Sequence, residues 1–215
     1  MRLIPGRYHF PLFNAAEGKK SGARVAIMKM LLAAKACVNQ TTNGGCSSLW
    51  KAANAGFKNA VRVLIDARAD INAYQENTTI TPIYNACYRG HDEIAELLIQ
   101  AKGDVHQRRI TTGATPLYTA SENAHASILR KLIAAKASVN EVTIKNHSSP
   151  LYIAAQNGHL EIIHILATNN ADVHLSRKAD GCTPFYAAAD KGSVFQLSFA
   201  IVVRRHQLKH NEHYV

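Results

Sequence analysis

The chain has 215 residues, 47% of them hydrophobic and 19% charged, with 25 Lys and Arg against 15 Asp and Glu for a net charge of +10. That balance excludes a disordered chain and fits a folded, water-soluble one. No apolar run suits a signal peptide or a bilayer span: Met1–Gly6 carries none, and Val194–Val203 is interrupted by Gln196 and Ser198 and is too short. The four cysteines, Cys37, Cys46, Cys87 and Cys182, have no paired metal spacing, so they read as free thiols of a reducing compartment. The cytoplasm is expected, with the nucleus or secretion into a host cell as an effector as other settings.

Taken in order, the chain repeats itself. Pro82, Pro116, Pro150 and Pro184 follow one another at steps of 34 residues, and Ser48 holds the proline's place one step earlier. Pro11 opens a first, irregular copy. A period in this range marks stacked supersecondary units. Six copies are expected, at 1–39, 40–72, 73–106, 107–140, 141–174 and 175–203, with a polar tail at 204–215. In the first, Leu12, Phe13, Ala15 and Ala16 make an inner helix, Gly18–Gly22 replaces a tight turn, and Ala36-Cys37-Val38-Asn39 closes the unit. An atypical, charged terminal unit is what capping an array demands. In the sixth, Ser193–Val203 is nearly uncharged until Arg204. Its apolar side chains would be covered by the tail, by a second copy of the chain, or by repeats missing downstream. Self-association through this copy, or an absent downstream repeat, is the expectation.

The fifth copy, Ser149–His174, shows the mechanics of the unit. Ser149 can cap the first amides of a helix, and Pro150 follows at the first helical position, where no N–H is needed. Ala154 and Ala155 let neighbouring helices approach closely. Gly158 ends the helix, because glycine accepts the left-handed conformation at little cost. Leu160, Ile162, Ile163, Ile165 and Leu166 then form a second, mostly buried helix. No unit can bury its apolar face alone.

This pattern resembles the ankyrin repeat, whose signature runs T-P-L-H-x-A-A-x-x-G-H and closes on A-D-V-N. Thr81-Pro82-Ile83-Tyr84, Thr115-Pro116-Leu117-Tyr118 and Thr183-Pro184-Phe185-Tyr186 match its start. Gly90-His91 and Gly158-His159 match its turn, and Ala69-Asp70-Ile71-Asn72 its end. A tetratricopeptide array shares the period but lacks the proline-capped start. The resemblance implies an all-α fold, an ankyrin-repeat solenoid of about six helix–turn–helix units with loop or β-hairpin connections. It also implies a non-enzymatic module, without cofactor, that binds a protein partner as a scaffold, adaptor or effector.

Two departures from the family recur. Its histidine is replaced in every copy by an aromatic residue, Phe13, Trp50, Tyr84, Tyr118, Tyr152 and Tyr186, so a row of rings along the inner helices is expected. Its glycine after the outer helix is Lys35, Arg68, Lys102, Lys136 and Asn170. A side chain forced into the left-handed region costs roughly 1 kcal/mol. A cation at a helix C-terminus recovers about 0.3–1 kcal/mol from the helix dipole.

For catalysis the sequence has no nucleophile motif, phosphate loop or paired carboxylates. His206, His210 and His213 would share a face if the tail were helical and could then hold zinc or nickel, but a polar, unstructured tail is the favoured reading, and no metal site is assigned. Basic groups cluster at the ends and at Arg108-Arg109, while the copy from Pro82 to His106 is net acidic, so no continuous stripe for a nucleic-acid groove exists. A basic nucleic-acid or anionic-surface binder is the competing class. The resemblance places partner contacts on the concave face, at the residues before each turn and at the loop tips. These are Asn54, Tyr88, Arg89, Glu122, Asn123, Gln156 and Asn157, with Tyr74, Arg108 and Arg109 among the tips. It also implies that Asn72 can be hydroxylated.

Overall fold

A computed structural model describes residues 10–17 and 21–190. Eleven α-helices and no strand occur among them, and the chain divides into two compact units, one ending at Ile110 and the other starting at Thr111. Expectations for 193–203 and for the tail histidines fall outside the described residues.

The first unit holds α1 (Pro11–Ala15), α2 (Gly22–Ala33), α3 (Ser48–Ala55), α4 (Lys58–Asp66), α5 (Pro82–Arg89) and α6 (Asp92–Gln100). They pair as α1 with α2, α3 with α4 and α5 with α6, each inner helix packing on the next inner helix and each outer helix on the next outer one. Ser47 and Thr81 accept hydrogen bonds at the starts of α3 and α5, from the amides of Trp50 at 3.1 Å and Tyr84 at 3.3 Å. These caps satisfy donors that a helix N-terminus would otherwise leave open. Leu49, Leu64, Ile83 and Leu98 are fully buried, as are Ala52, Ala53, Ala86 and Cys87 on α3 and α5, which pack together.

Gly56 shows why one turn favours glycine. It sits at φ +68, and a Cβ there would lie 2.6 Å from Cε1 of His91. Two independent costs, backbone strain and a clash with the next repeat, meet at this position.

The second unit holds α7 (Pro116–Glu122), α8 (Ala126–Ala134), α9 (Pro150–Asn157), α10 (Leu160–Thr168) and α11 (Pro184–Ala189). Thr115, Ser149 and Thr183 cap α7, α9 and α11 in the same way. Helix α9 packs on both α7 and α11, and α10 on α8. Leu117, Leu129, Leu132, Leu151 and Ile162 form the core.

The hairpin connections take a reduced form. Each turn closes by one or two backbone bonds, as in the isolated bridges Thr41 to Ser47 and Gln75 to Ile80, because the flanking helices draw the chain away after a single rung. In the first unit the turns are tied tip to tip by Glu76 N–H to Gly44 O at 3.0 Å and Ile110 N–H to Thr78 O at 3.1 Å. In the second, Ile144 N–H reaches Thr112 O at 2.9 Å and Lys178 N–H reaches Asn146 O at 3.2 Å.

All five residues that replace the family's glycine adopt the left-handed conformation, with φ between 61° at Lys35 and 67° at Lys136. The amide of Lys136 bonds to Ile133 O and that of Ala137 to Leu132 O, both at 2.9 Å. This is the doubly bonded helix end that normally recruits glycine. The same pair of bonds ends α2 at Lys35, α4 at Arg68 and α6 at Lys102.

Candidate partner-binding surface

The inner helix α5 sets up the most distinctive part of the first unit. Its residues from Pro82 to Cys87 are all buried, and the next two, Tyr88 and Arg89, are exposed just before the left-handed Gly90. Helix α5 packs on α3 and α6, and the burial of its side chains stops at Cys87. Tyr88 leaves 49% of its surface to solvent, and the Arg89 guanidinium sits over its ring, 5.9 Å from the centroid. That contact holds a long cationic side chain against an aromatic face.

Tyr74, also 49% exposed, lies in the turn between the second and third copies. The neighbouring loop joins this turn through backbone groups: Thr79 Oγ1 donates to Arg108 O at 2.7 Å, and the Ile110 amide donates to Thr78 O. Arg108 and Arg109 are both half-buried, and Arg109 Nε is buried without a hydrogen-bond partner. The pair is therefore less a free basic tip than its sequence suggests. Asn54 is half-buried too, and its carbonyl accepts from His91 Nε2 at 3.4 Å.

In the second unit the candidates divide by what they already hold. Asn157 Nδ2 donates to Glu122 O at 3.0 Å, and His159 Nε2 reaches the same carbonyl at 3.0 Å. Asn123 Nδ2 turns back to Thr119 O of its own helix at 2.8 Å. The structure brings Glu122 and Asn157 together as a clamp between copies, whereas the half-buried Gln156 makes no such bond.

Asn72 also has a structural task. Its Oδ1 accepts from the Asp104 amide at 2.8 Å, as Asn39 does from Asp70 and Asn140 from Asp172. An asparagine at the end of one copy thus caps the corresponding loop of the next within each unit.

The aromatic row holds within each unit except at its last member. Phe13 and Tyr84 are buried in the first unit, where Trp50 Nε1 donates to Ile80 O at 2.9 Å. In the second, Tyr118 and Tyr152 are buried, but Tyr186 is 63% exposed, because α11 has an inner-helix neighbour among the described residues only in α9. Burial pushes the Tyr152 phenol up, and Arg177 stands 5.2 Å from the centre of its ring while pairing with Asp180. The Asp180 carboxyl is held well below the usual range by that hydrogen bond from Arg177. Burial raises the Cys87 thiol strongly, so it stays protonated.

Ile110 and Ile144, which are 61% and 59% exposed at loop tips of the first and second unit, are not among the residues expected as contacts. An apolar residue at a place where most copies are polar was the available signal. Among the described residues no group of three or more metal-ligating side chains occurs, and no helix is long and apolar enough to cross a membrane.

No curated protein is similar enough to this chain to count as a match. A family model described as ankyrin repeats (3 copies) matches residues 73–143 and 117–198, which together exceed half of the chain. Ankyrin repeats are generic protein–protein interaction modules, typically without catalytic activity. With the proline-capped inner helices, left-handed turns and repeating clamps described above, that match means that the chain belongs to the ankyrin-repeat family.

Proposed function

We propose that this chain is a non-enzymatic scaffold, adaptor or effector module that binds a protein partner on the concave side of its inner helices and loop tips. The six-copy division from 1–39 to 175–203 is part of this reading. The observation that carries it is the exposed pair Tyr88 and Arg89 at the end of an otherwise buried helix. Tyrosine and arginine are the residue types that most often dominate binding energy at interfaces. The contact between the two restricts the arginine before binding, which lowers the entropy lost in the complex.

Within the first unit Tyr74, Arg108, Arg109 and Asn54 accompany this pair; in the second unit, taken by itself, Gln156 and Glu122 are the candidates. Asn123 and Asn157 act in this reading mainly by holding the helix ends that present the others. Affinity capture from the native host, with the Tyr88→Ala/Arg89→Ala chain as control, tests the proposal: a protein retained by the native chain and lost by the variant supports it. The competing reading, a nucleic-acid or anionic-surface binder, requires a steep fall in affinity for arbitrary DNA as salt rises.

Self-association through the sixth copy belongs to the same reading, although residues 194–203 lie outside the described part of the chain. Sedimentation of the chain beside a Phe195→Lys/Phe199→Lys variant tests it. A native chain that is monomeric at working concentrations removes it.

A further inference from the structure

The sequence contains two Asn-Gly pairs, Asn43-Gly44 and Asn157-Gly158. This dipeptide is chemically labile, because glycine offers no side chain to hinder attack by its amide nitrogen on the preceding carboxamide. The two pairs sit in opposite environments. Asn157 ends α9, its Nδ2 donates to Glu122 O, and the Gly158 amide is bonded to carbonyls of the same helix. The attacking nitrogen and the leaving nitrogen are both held.

Asn43 lies exposed at the tip of the turn closed by Gly45 N–H to Thr42 O at 2.9 Å and Thr42 N–H to Cys46 O at 3.0 Å. Neither its carboxamide nor the Gly44 amide makes a hydrogen bond among the described residues. An ideal Cβ on Gly44 would meet nothing within 4 Å, so there is room for the ring that the reaction forms.

We infer that Asn43 is a site of spontaneous deamidation and isoaspartate formation in the folded protein, and that Asn157 is protected from it by the fold. In the first step the Gly44 amide nitrogen loses its proton and bonds to Cγ of Asn43. The bond from Cγ to the carboxamide nitrogen breaks, and that nitrogen leaves as ammonia. Water then opens the succinimide at either carbonyl, giving aspartate or isoaspartate. No oxidant or reductant takes part.

The product has a structural effect. Either opening replaces a neutral amide with a carboxylate beside Glu76, whose amide bonds to Gly44 O. Isoaspartate also inserts a methylene into the main chain of the turn, which misaligns the two closing bonds and the link from Glu76 to Gly44. The turn at Thr41–Ser47 is then loosened from the next one, at Gln75–Ile80.

The test is to incubate the full chain at mildly alkaline pH, folded and in urea, and to follow the protease-released peptides by mass and by isoaspartyl methyltransferase labelling. In the folded chain the Asn43 peptide should gain the mass difference between an amide and an acid and become labelled, while the Asn157 peptide stays unchanged. In urea both should convert. Gly44→Ala, which meets no neighbour, should slow the Asn43 reaction several-fold while leaving the far-UV circular dichroism unaltered. The inference is overturned if the folded chain keeps Asn43 intact over a time in which the urea-treated chain converts it, or if Asn157 converts as fast as Asn43 in the folded chain.

Discussion

Lys136 offers a way to separate two opposing energies at one residue. It is exposed, sits at φ +67 after α8, and makes the helix-end bond to Ile133 O through its main chain alone. The left-handed backbone costs a non-glycine residue roughly 1–2 kcal/mol. Its charge at a helix C-terminus returns about 0.3–1 kcal/mol at low ionic strength, and salt screens that return. Lys136→Ala keeps the strain and removes the charge, so it should cost about 0.3–1 kcal/mol at low salt and close to nothing at high salt. Lys136→Gly removes both. Relative to the alanine variant it gains the strain of about 1–2 kcal/mol and loses about 0.4–1 kcal/mol through greater freedom of the unfolded chain, for a net gain of up to roughly 1.5 kcal/mol. That gain should not depend on salt. Urea unfolding followed by circular dichroism, at low and high salt, measures all three chains. A glycine variant less stable than the alanine variant at both salts would refute the strain argument. An alanine cost that salt leaves unchanged would refute the dipole argument.

Other expectations follow from single residues. Gly56→Ala combines a left-handed backbone with a Cβ 2.6 Å from the His91 ring; it should destabilise the chain by more than about 1 kcal/mol, read as a fall in the urea midpoint. Burial raises the folded-state pKa of Cys87 above its unfolded value. The stability this contributes is therefore complete below an unfolded thiol pKa of about 8.5 and declines as the pH rises above it. Cys87→Ala should flatten that alkaline decline, and in the folded chain a thiol reagent should label the exposed Cys37 before Cys87. Incubation with an asparaginyl hydroxylase should add one oxygen at Asn72, read by intact mass; an unchanged mass removes that site.

The fold was legible wherever a local rule chose the residue. Thr81, Thr115, Ser149 and Thr183 announce the inner helices because capping acts on amides three residues away, and the structure carries every one of those bonds. The left-handed set from Lys35 to Asn170 was legible through its fixed place after each outer helix. Side-chain partners one copy away were not. Nothing local distinguishes Asn157, which holds Glu122 O, from Gln156 beside it, since the difference depends on where the preceding copy places a carbonyl. The same limit applies to Tyr186: its equivalents Tyr118 and Tyr152 are buried by their neighbours, not by any property of the residue. Arg109 read as a loop-tip cation, yet the fold of its loop leaves its Nε buried.

The claim that the end of α5 is the centre of a protein-binding surface can be tested by one titration. With a partner recovered on the native chain, its affinity is measured for the native chain and for Tyr88→Ala/Arg89→Ala, both shown to unfold at the same urea concentration. Both side chains are exposed, so stability should hold. If the pair acts as a hot spot of at least about 2 kcal/mol, the affinity falls by roughly thirtyfold or more. An affinity within about twofold of the native value would contradict the claim, because it leaves less than roughly 0.5 kcal/mol to the pair.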